Sequence, residues 1–123
     1  MSSTTNTSAW IFDVTLADFG QQVLAASAKR PILVDFWAEW CAPCLVLAPV
    51  LERVVTQRAG TVWLARVEVD DNMKLAGRYR VRGFPTVILF ADGEELGRFS
   101  GARPAGAVDR FLAAHLDARG ATG

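Results

Sequence analysis

Apolar positions along the chain recur with two different periods, and each change of period marks an element. "WIFDV" (Trp10–Val14) is short, aromatic and β-branched, which predicts a strand. Behind it Leu16, Phe19, Val23 and Leu24 fall at helical spacing, with Thr15 as a candidate N-cap and Asp18 in the first turn. That helix must end before Pro31. "ILVDFWA" (Ile32–Ala38) is nearly all apolar, the pattern of a strand covered on both faces in a parallel sheet. A long helix is expected from about Ala42 to Ala59, with Leu47, Val50, Leu51 and Val54 on one side. Pro49 lies inside it as a kink, and Gly60 is its natural stop.

"TVWLARVEV" predicts a third strand, and "DNMKLAGRYRV" a short helix opening near Asp71 or Asn72. "TVILF" and "LGRFSG" flank "ADGEE", whose Asp92-Gly93 pair signals a hairpin turn. From Pro104 a last helix carries Val108, Phe111, Leu112 and Leu116 on one face. The order β-α-β-α-β-α-β-β-α defines an α/β fold: parallel strands joined by crossover helices, closed by an antiparallel hairpin. A central mixed sheet with helices on both faces is expected. Residues 9–118 form one domain in this reading, after a disordered lead-in at 1–8 and before a flexible tail at 119–123.

Composition narrows the function classes. The 123 residues include thirteen basic and thirteen acidic ones, so no bulk field recruits nucleic acid or an anionic membrane. No apolar run approaches the ~20 residues that a membrane span requires. "MSSTTNTSAW" has neither the basic start nor the apolar middle of a secretory signal, so a cytoplasmic location is expected. A reducing compartment disfavours a merely structural disulfide and favours redox or metal chemistry for paired cysteines.

The chain has two cysteines, and they stand three apart in "WCAPC" at a strand-to-helix junction. At the helix start the unpaired backbone N–H groups and the macrodipole favour a thiolate at Cys41. Cys44, one turn further in, is on the same side and expected to be more buried, which suits attack on a mixed disulfide from within. The competing reading is half of a zinc site. Structural zinc takes four protein ligands and catalytic zinc three, and only His115, distant on the last helix, could add a nitrogen. His115 itself reads as a solvated helix residue.

Asp35 interrupts a strand expected to be buried on both faces, so desolvation is expected to raise its pKa. Two roles stay open for it. It is either a proton acceptor beneath Cys44, which must lose its proton to attack, or a buried acid satisfied by backbone or water.

These residues resemble the thioredoxin family over positions 10–117. "ILVDFWAEWCAPC" matches the family signature almost letter for letter. "APVLERV", with Pro49 as the kink, "VEVDDN", "VRGFPTVILFADGE" and "SGARP" follow in family order. The resemblance implies the thioredoxin fold and a protein-disulfide reductase working through a reversible Cys41–Cys44 dithiol/disulfide, Cys41 attacking and Cys44 resolving. It implies that Asp35 is the family's buried acid, with Arg66 where a lysine is usual, and that Trp37 and Pro49 support the site. It also implies that Pro85 is a cis-proline facing the redox pair, so that the backbone of Phe84 can pair with an extended substrate segment; without the resemblance Pro85 reads as a turn proline. Trp40, Ala42, Pro43, Gly83, Phe84, Gly101 and Ala102 would line a shallow apolar groove around the sulfurs.

By the same resemblance the chain binds no cofactor or metal, and NADPH enters only through a flavin-containing thioredoxin reductase. Its partners are that reductase and disulfide-containing proteins, met by a monomer. Three departures bear on redox poise: Ala42 stands where glycine is commonest, Leu45 where a basic residue is usual, and Arg66 keeps charge but changes its shape. Two other functions compete with this one. "WIFDVTLADFGQQVL" and "SGARPAGAVDRFL" also resemble the thioredoxin domain of redox co-chaperones, whose helical repeats are absent here. An oxidase or isomerase of secreted proteins needs an export signal.

Overall fold

Strand pairing builds one mixed sheet. The computed structural model describes residues 9–122. Its strands β1 (Ile11–Asp13), β2 (Ile32–Trp37), β3 (Trp63–Glu68), β4 (Thr86–Ala91) and β5 (Glu94–Ser100) line up in the order β1-β3-β2-β4-β5. β3 pairs parallel with β1 and β2, whereas β4 is antiparallel to β2 and to β5. Helices α1 (Gly20–Ala25) and α3 (Met73–Arg78) cover one face, and α2 (Ala42–Gln57) and α4 (Ala105–Thr122) the other. The expected class and element order are therefore those observed.

Residue alternation divides the interior into two layers. On one side Val34, Phe36, Val67, Ile88 and Phe90 pack against Phe19, Val23, Leu75 and both cysteines. On the other Leu33, Leu64, Val87 and Leu89 meet Leu47, Leu51 and Val54 of α2 and Val108 and Leu112 of α4. Strand β2 is buried on both faces from Ile32 to Phe36, as its continuous apolar run requires. The hairpin turn falls at Asp92 (φ 53°) and Gly93 (φ 78°), two left-handed residues as a type I′ turn demands. Buried Ser27 clasps that turn. Its carbonyl accepts the Asp92 N–H at 2.9 Å and its hydroxyl the Gly93 N–H at 2.8 Å.

Several local expectations are corrected. Thr15 does not cap α1. It donates its own N–H (2.7 Å) and hydroxyl (3.2 Å) to Asp18, while Asn72 Oδ1 accepts the Leu16 N–H at 2.9 Å. Side chains thus satisfy the first donors, and after a turn at Leu16–Asp18 the segment Gly20–Ala25 winds as a π-helix that tightens into a 3₁₀ turn at Ala26–Ala28. Helix α2 leaves helical geometry one residue earlier than its glycine, because Ala59 already has φ 52° before Gly60 at 89°. Gly60 answers a close approach instead, since a Cβ there would meet the indole of Trp10 at 2.9 Å. His115 is not solvated: its ring is half-buried, 4.5 Å from that of Phe111, with Nδ1 2.9 Å from the Phe111 carbonyl. Helix α4 runs to Thr122, through most of the stretch set aside as a tail, and the lead-in 1–8 lies outside the described residues.

Candidate active site

The junction between β2 and α2 is where local chemistry concentrates. Cys41 is the N-cap of α2, in extended geometry (φ −100°, ψ 101°), so the helix begins on its sulfur. Its Sγ accepts the backbone N–H of Cys44 at 3.3 Å. Pro43 fits the first turn, where its missing N–H costs no intrahelical bond. A sulfur held by a free backbone donor at the positive end of a helix is an anion site, which stabilises a thiolate whenever the pair is reduced. Cys41 and Cys44 are joined as a disulfide with Cα atoms 5.3 Å apart. Cys41 keeps 5% of its surface and Cys44 none, so a partner can reach only the first sulfur.

Asp35 is wholly buried in the middle of β2. Alternation places it on the face shared with Leu33, beneath the body of α2. Burial pushes its carboxyl up to about 6, against the pull of Arg66 and with a smaller push from Glu52. Arg66 is the register partner of Asp35 on β3, and its Nε lies 3.6 Å from Asp35 Oδ2. That distance is an ion pair without a hydrogen bond, and both carboxylate oxygens lack a hydrogen-bonding partner among the described residues. The guanidinium instead lies over the Trp37 ring, 4.5 Å from its centroid. Stacking is what a planar cation does that a lysine cannot, and it holds Arg66 at charge-charge range only. Beside the pair, a cavity of about 240 Å³ is lined by Trp37, Arg66, Glu68, Asp71 and Asn72, among others.

The remaining expected residues surround the disulfide unevenly. Trp40 is largely exposed, and its indole N–H donates to Asp70 Oδ2 at 3.0 Å. Its ring meets that of Phe84 edge-on at 5.7 Å. Ala42, Pro43, Gly83 and Ala102 are exposed, Phe84 and Gly101 half-buried, and Pro85 buried behind a cis Phe84–Pro85 peptide. The Pro85 carbonyl accepts the Gly101 N–H at 2.9 Å, tying the start of β4 to the end of β5. Pro49 sits on the exposed side of α2. An open groove of about 300 Å³ is lined by Trp40, Val69, Met73, Val81 and Phe84, among others. Of the expected groove residues it brings together only Trp40 and Phe84; Ala42, Pro43, Gly83, Gly101 and Ala102 do not line it.

Sequence reasoning missed Asp70, Met73 and Asn72. The Trp40–Asp70 bond joins residues 30 apart and leaves no periodic trace. Asn72 was legible only as a helix start, yet its side chain also receives Leu16 and donates to the Glu68 carbonyl at 2.9 Å. Among the described residues no group of three or more His, Cys, Asp or Glu side chains could hold a metal ion.

Comparison with known proteins agrees with this geometry. Residues 11–114 match the thioredoxin family model. Over 99 residues the chain is 46% identical to a thioredoxin of Mycobacterium tuberculosis, covering 80% of this chain and 84% of that protein. Over 106 residues it is 41% identical to a thioredoxin of Pseudomonas aeruginosa, covering 86% and 96%. A bifunctional thioredoxin reductase/thioredoxin of Mycobacterium leprae is 41% identical over 100 residues, 81% of this chain and 21% of that protein. The chain belongs to the thioredoxin family. It is a protein thiol–disulfide oxidoreductase, with Cys41 and Cys44 as its redox-active pair.

Proposed function

We propose that the chain runs mainly as a reductant, with its side chains dividing the work as follows. The Cys41 thiolate attacks one sulfur of a partner disulfide and forms a mixed disulfide, expelling the partner's first sulfur as a thiolate. Asp35 takes the proton of Cys44. The Cys44 thiolate then attacks Cys41 Sγ, the mixed bond breaks, and the second partner sulfur leaves. The partner gains two electrons, and the pair is left as the disulfide. A proton acceptor for Cys44 needs a pKa near working pH, and about 6 is closer to it than an exposed carboxylate's 3.8.

The observation carrying this reading is the asymmetry of the pair: Cys41 keeps a small accessible edge at the helix N-terminus, and Cys44 is sealed inside. The backbone of Phe84, with the cis-proline Pro85 and the loop at Gly83, Gly101 and Ala102, would receive the partner in extended form, and Trp40, Ala42 and Pro43 would border the sulfurs. Trp37, Arg66 and Pro49 act through position, Trp37 by fixing the Arg66 guanidinium. Recycling by an NADPH-dependent thioredoxin reductase is supported by the relative that unites both names in one chain. Such a cycle belongs in a reducing compartment such as the cytoplasm, with the chain acting as a monomer and binding no cofactor of its own.

Insulin reduction by dithiothreitol, followed as turbidity, tests the activity. The chain is expected to accelerate it and the Cys41→Ser variant is not; equal rates would defeat the reading. Oxidation of NADPH in the presence of a bacterial thioredoxin reductase tests the recycling, and no turnover would exclude that partner.

A further inference from the structure

Charge balances over the whole chain but not around the groove. Lys74, Arg78, Arg80 and Arg82 crowd into α3 and the segment between α3 and β4, and no acidic residue stands anywhere from Met73 to Ala91. All four are exposed. Arg58, Arg66 and Arg98 each face a carboxylate, and Arg30 and Arg103 each cover an aromatic ring. None of the four has such an ion pair or ring among the described residues. Gly77 and Val81, interleaved with Arg78, Arg80 and Arg82, line the 300 Å³ groove beside Trp40 and Phe84. The one acid in that lining, Asp70, is engaged by the Trp40 indole. The groove therefore has an apolar floor, a single carboxylate at its Trp40 end, and four exposed cations on the residues that flank its Met73, Gly77 and Val81 wall.

We propose that these four cations form a rim that acts as a specificity element, selecting disulfide partners that carry an acidic segment next to the reactive cysteine and an apolar residue to seat in the groove. The proposal rests on the redox activity of the Cys41–Cys44 pair and names the substrate class for it. Exposed pairs are individually weak, but several acting together also steer encounter, and both effects fade with salt. A protein partner is favoured over nucleic acid because the cations flank residues of an apolar groove that runs to Trp40, the neighbour of Cys41.

The test uses the reduced full chain and three disulfide-bonded peptides, identical except for a flanking segment of Asp/Glu, Ser or Lys. At low salt kcat/KM is expected to be about ten-fold higher for the acidic than for the Ser peptide, and lower for the Lys peptide. The ratio should collapse toward one at 1 M salt, where the Debye length is about 3 Å. The K74Q/R78Q/R80Q/R82Q variant should lose the preference while still reducing the Ser peptide, and an R78K/R80K/R82K variant should keep it. Equal rates on the three peptides at low salt would overturn the proposal, as would a preference that survives in the Gln variant. If the Gln variant does not melt cooperatively, the wild-type salt series decides: a ratio indifferent to salt refutes the rim. Duplex DNA binding that requires the four cations, without peptide preference, would reassign them and equally overturn it. Failure to reduce any peptide would strike the redox reading itself, a result distinct from equal rates.

Discussion

Replacing Asp35 by Asn keeps its shape and removes its charge, which turns burial into a measurable stability. In the folded chain the carboxyl is raised from 3.8 to about 6, chiefly by desolvation. The folded state therefore holds its proton more tightly than the unfolded chain does. Stability is highest below pH 3.8, falls as pH rises between the two values, and levels off above 6. A difference of about 2 pH units, at about 1.4 kcal/mol each, makes the ionised carboxylate cost about 3 kcal/mol at neutral pH. The neutral amide escapes that cost but leaves Arg66 without its counter-charge. Because Arg66 is partly exposed and stacked on Trp37, that loss offsets only part of the gain. The Asp35→Asn variant is thus expected to be more stable by about 1–3 kcal/mol at pH 7.5, a shift of about 1 M in urea midpoint for a domain of this size. Urea titrations of the oxidised proteins at pH 7.5 and pH 4 measure it, and the gap should nearly close at pH 4. A variant no more stable than the parent at pH 7.5, or a gap indifferent to pH, would show that burial does not govern this carboxyl. Under the proposed mechanism the same variant should also reduce insulin more slowly, because an amide at this position could not take the proton of Cys44.

Further outcomes follow from other contacts. Cys44→Ser should stall at the mixed disulfide, so that intact mass spectrometry finds the partner attached to Cys41, whereas the Cys41→Ser variant accumulates no adduct. Arg66→Met removes the cation that opposes burial and should raise the Asp35 pKa by about 1–3, read by carboxyl ¹³C NMR titration; an unchanged value would show that 3.6 Å across this site is electrostatically silent. Asn72→Ala breaks two bonds, one to the Leu16 N–H ahead of α1 and one to the Glu68 carbonyl at the end of β3, and should cost about 2 kcal/mol in chemical denaturation. A loss below about 0.5 kcal/mol would mean that water replaces both.

The fold was legible wherever one rule governed a whole segment. The unbroken apolar run at Ile32–Phe36 could only be a strand covered on two sides, and Asp92-Gly93 could only be a tight hairpin. Cys41 and Cys44 were legible because spacing and helix position act within one turn. What stayed hidden depended on pairings between distant residues. Thr15 lost its capping role because Asn72, far along the chain, took over a neighbouring donor. His115 looked like a surface residue until Gly97, on β5, left it room to lie against the strand. Arg66 could be read as a charge near Asp35, but its stacking on Trp37 depends on a ring two positions along the neighbouring strand.

Helix α2 changes neighbours along its length. Its sulfur-bearing first turn is packed with Val34, Phe36 and Leu75, while Leu47, Leu51 and Val54 are bedded in the opposite layer. Pro49, between Leu47 and Leu51, has no amide hydrogen with which to tie itself to the Leu45 carbonyl, so the helix lacks one backbone bond directly behind its sulfur-bearing turn. The bond missing there leaves the first turn joined to the rest of α2 by fewer backbone ties than any other turn of a regular helix would have, which is where an adjustment of the two sulfurs would be taken up.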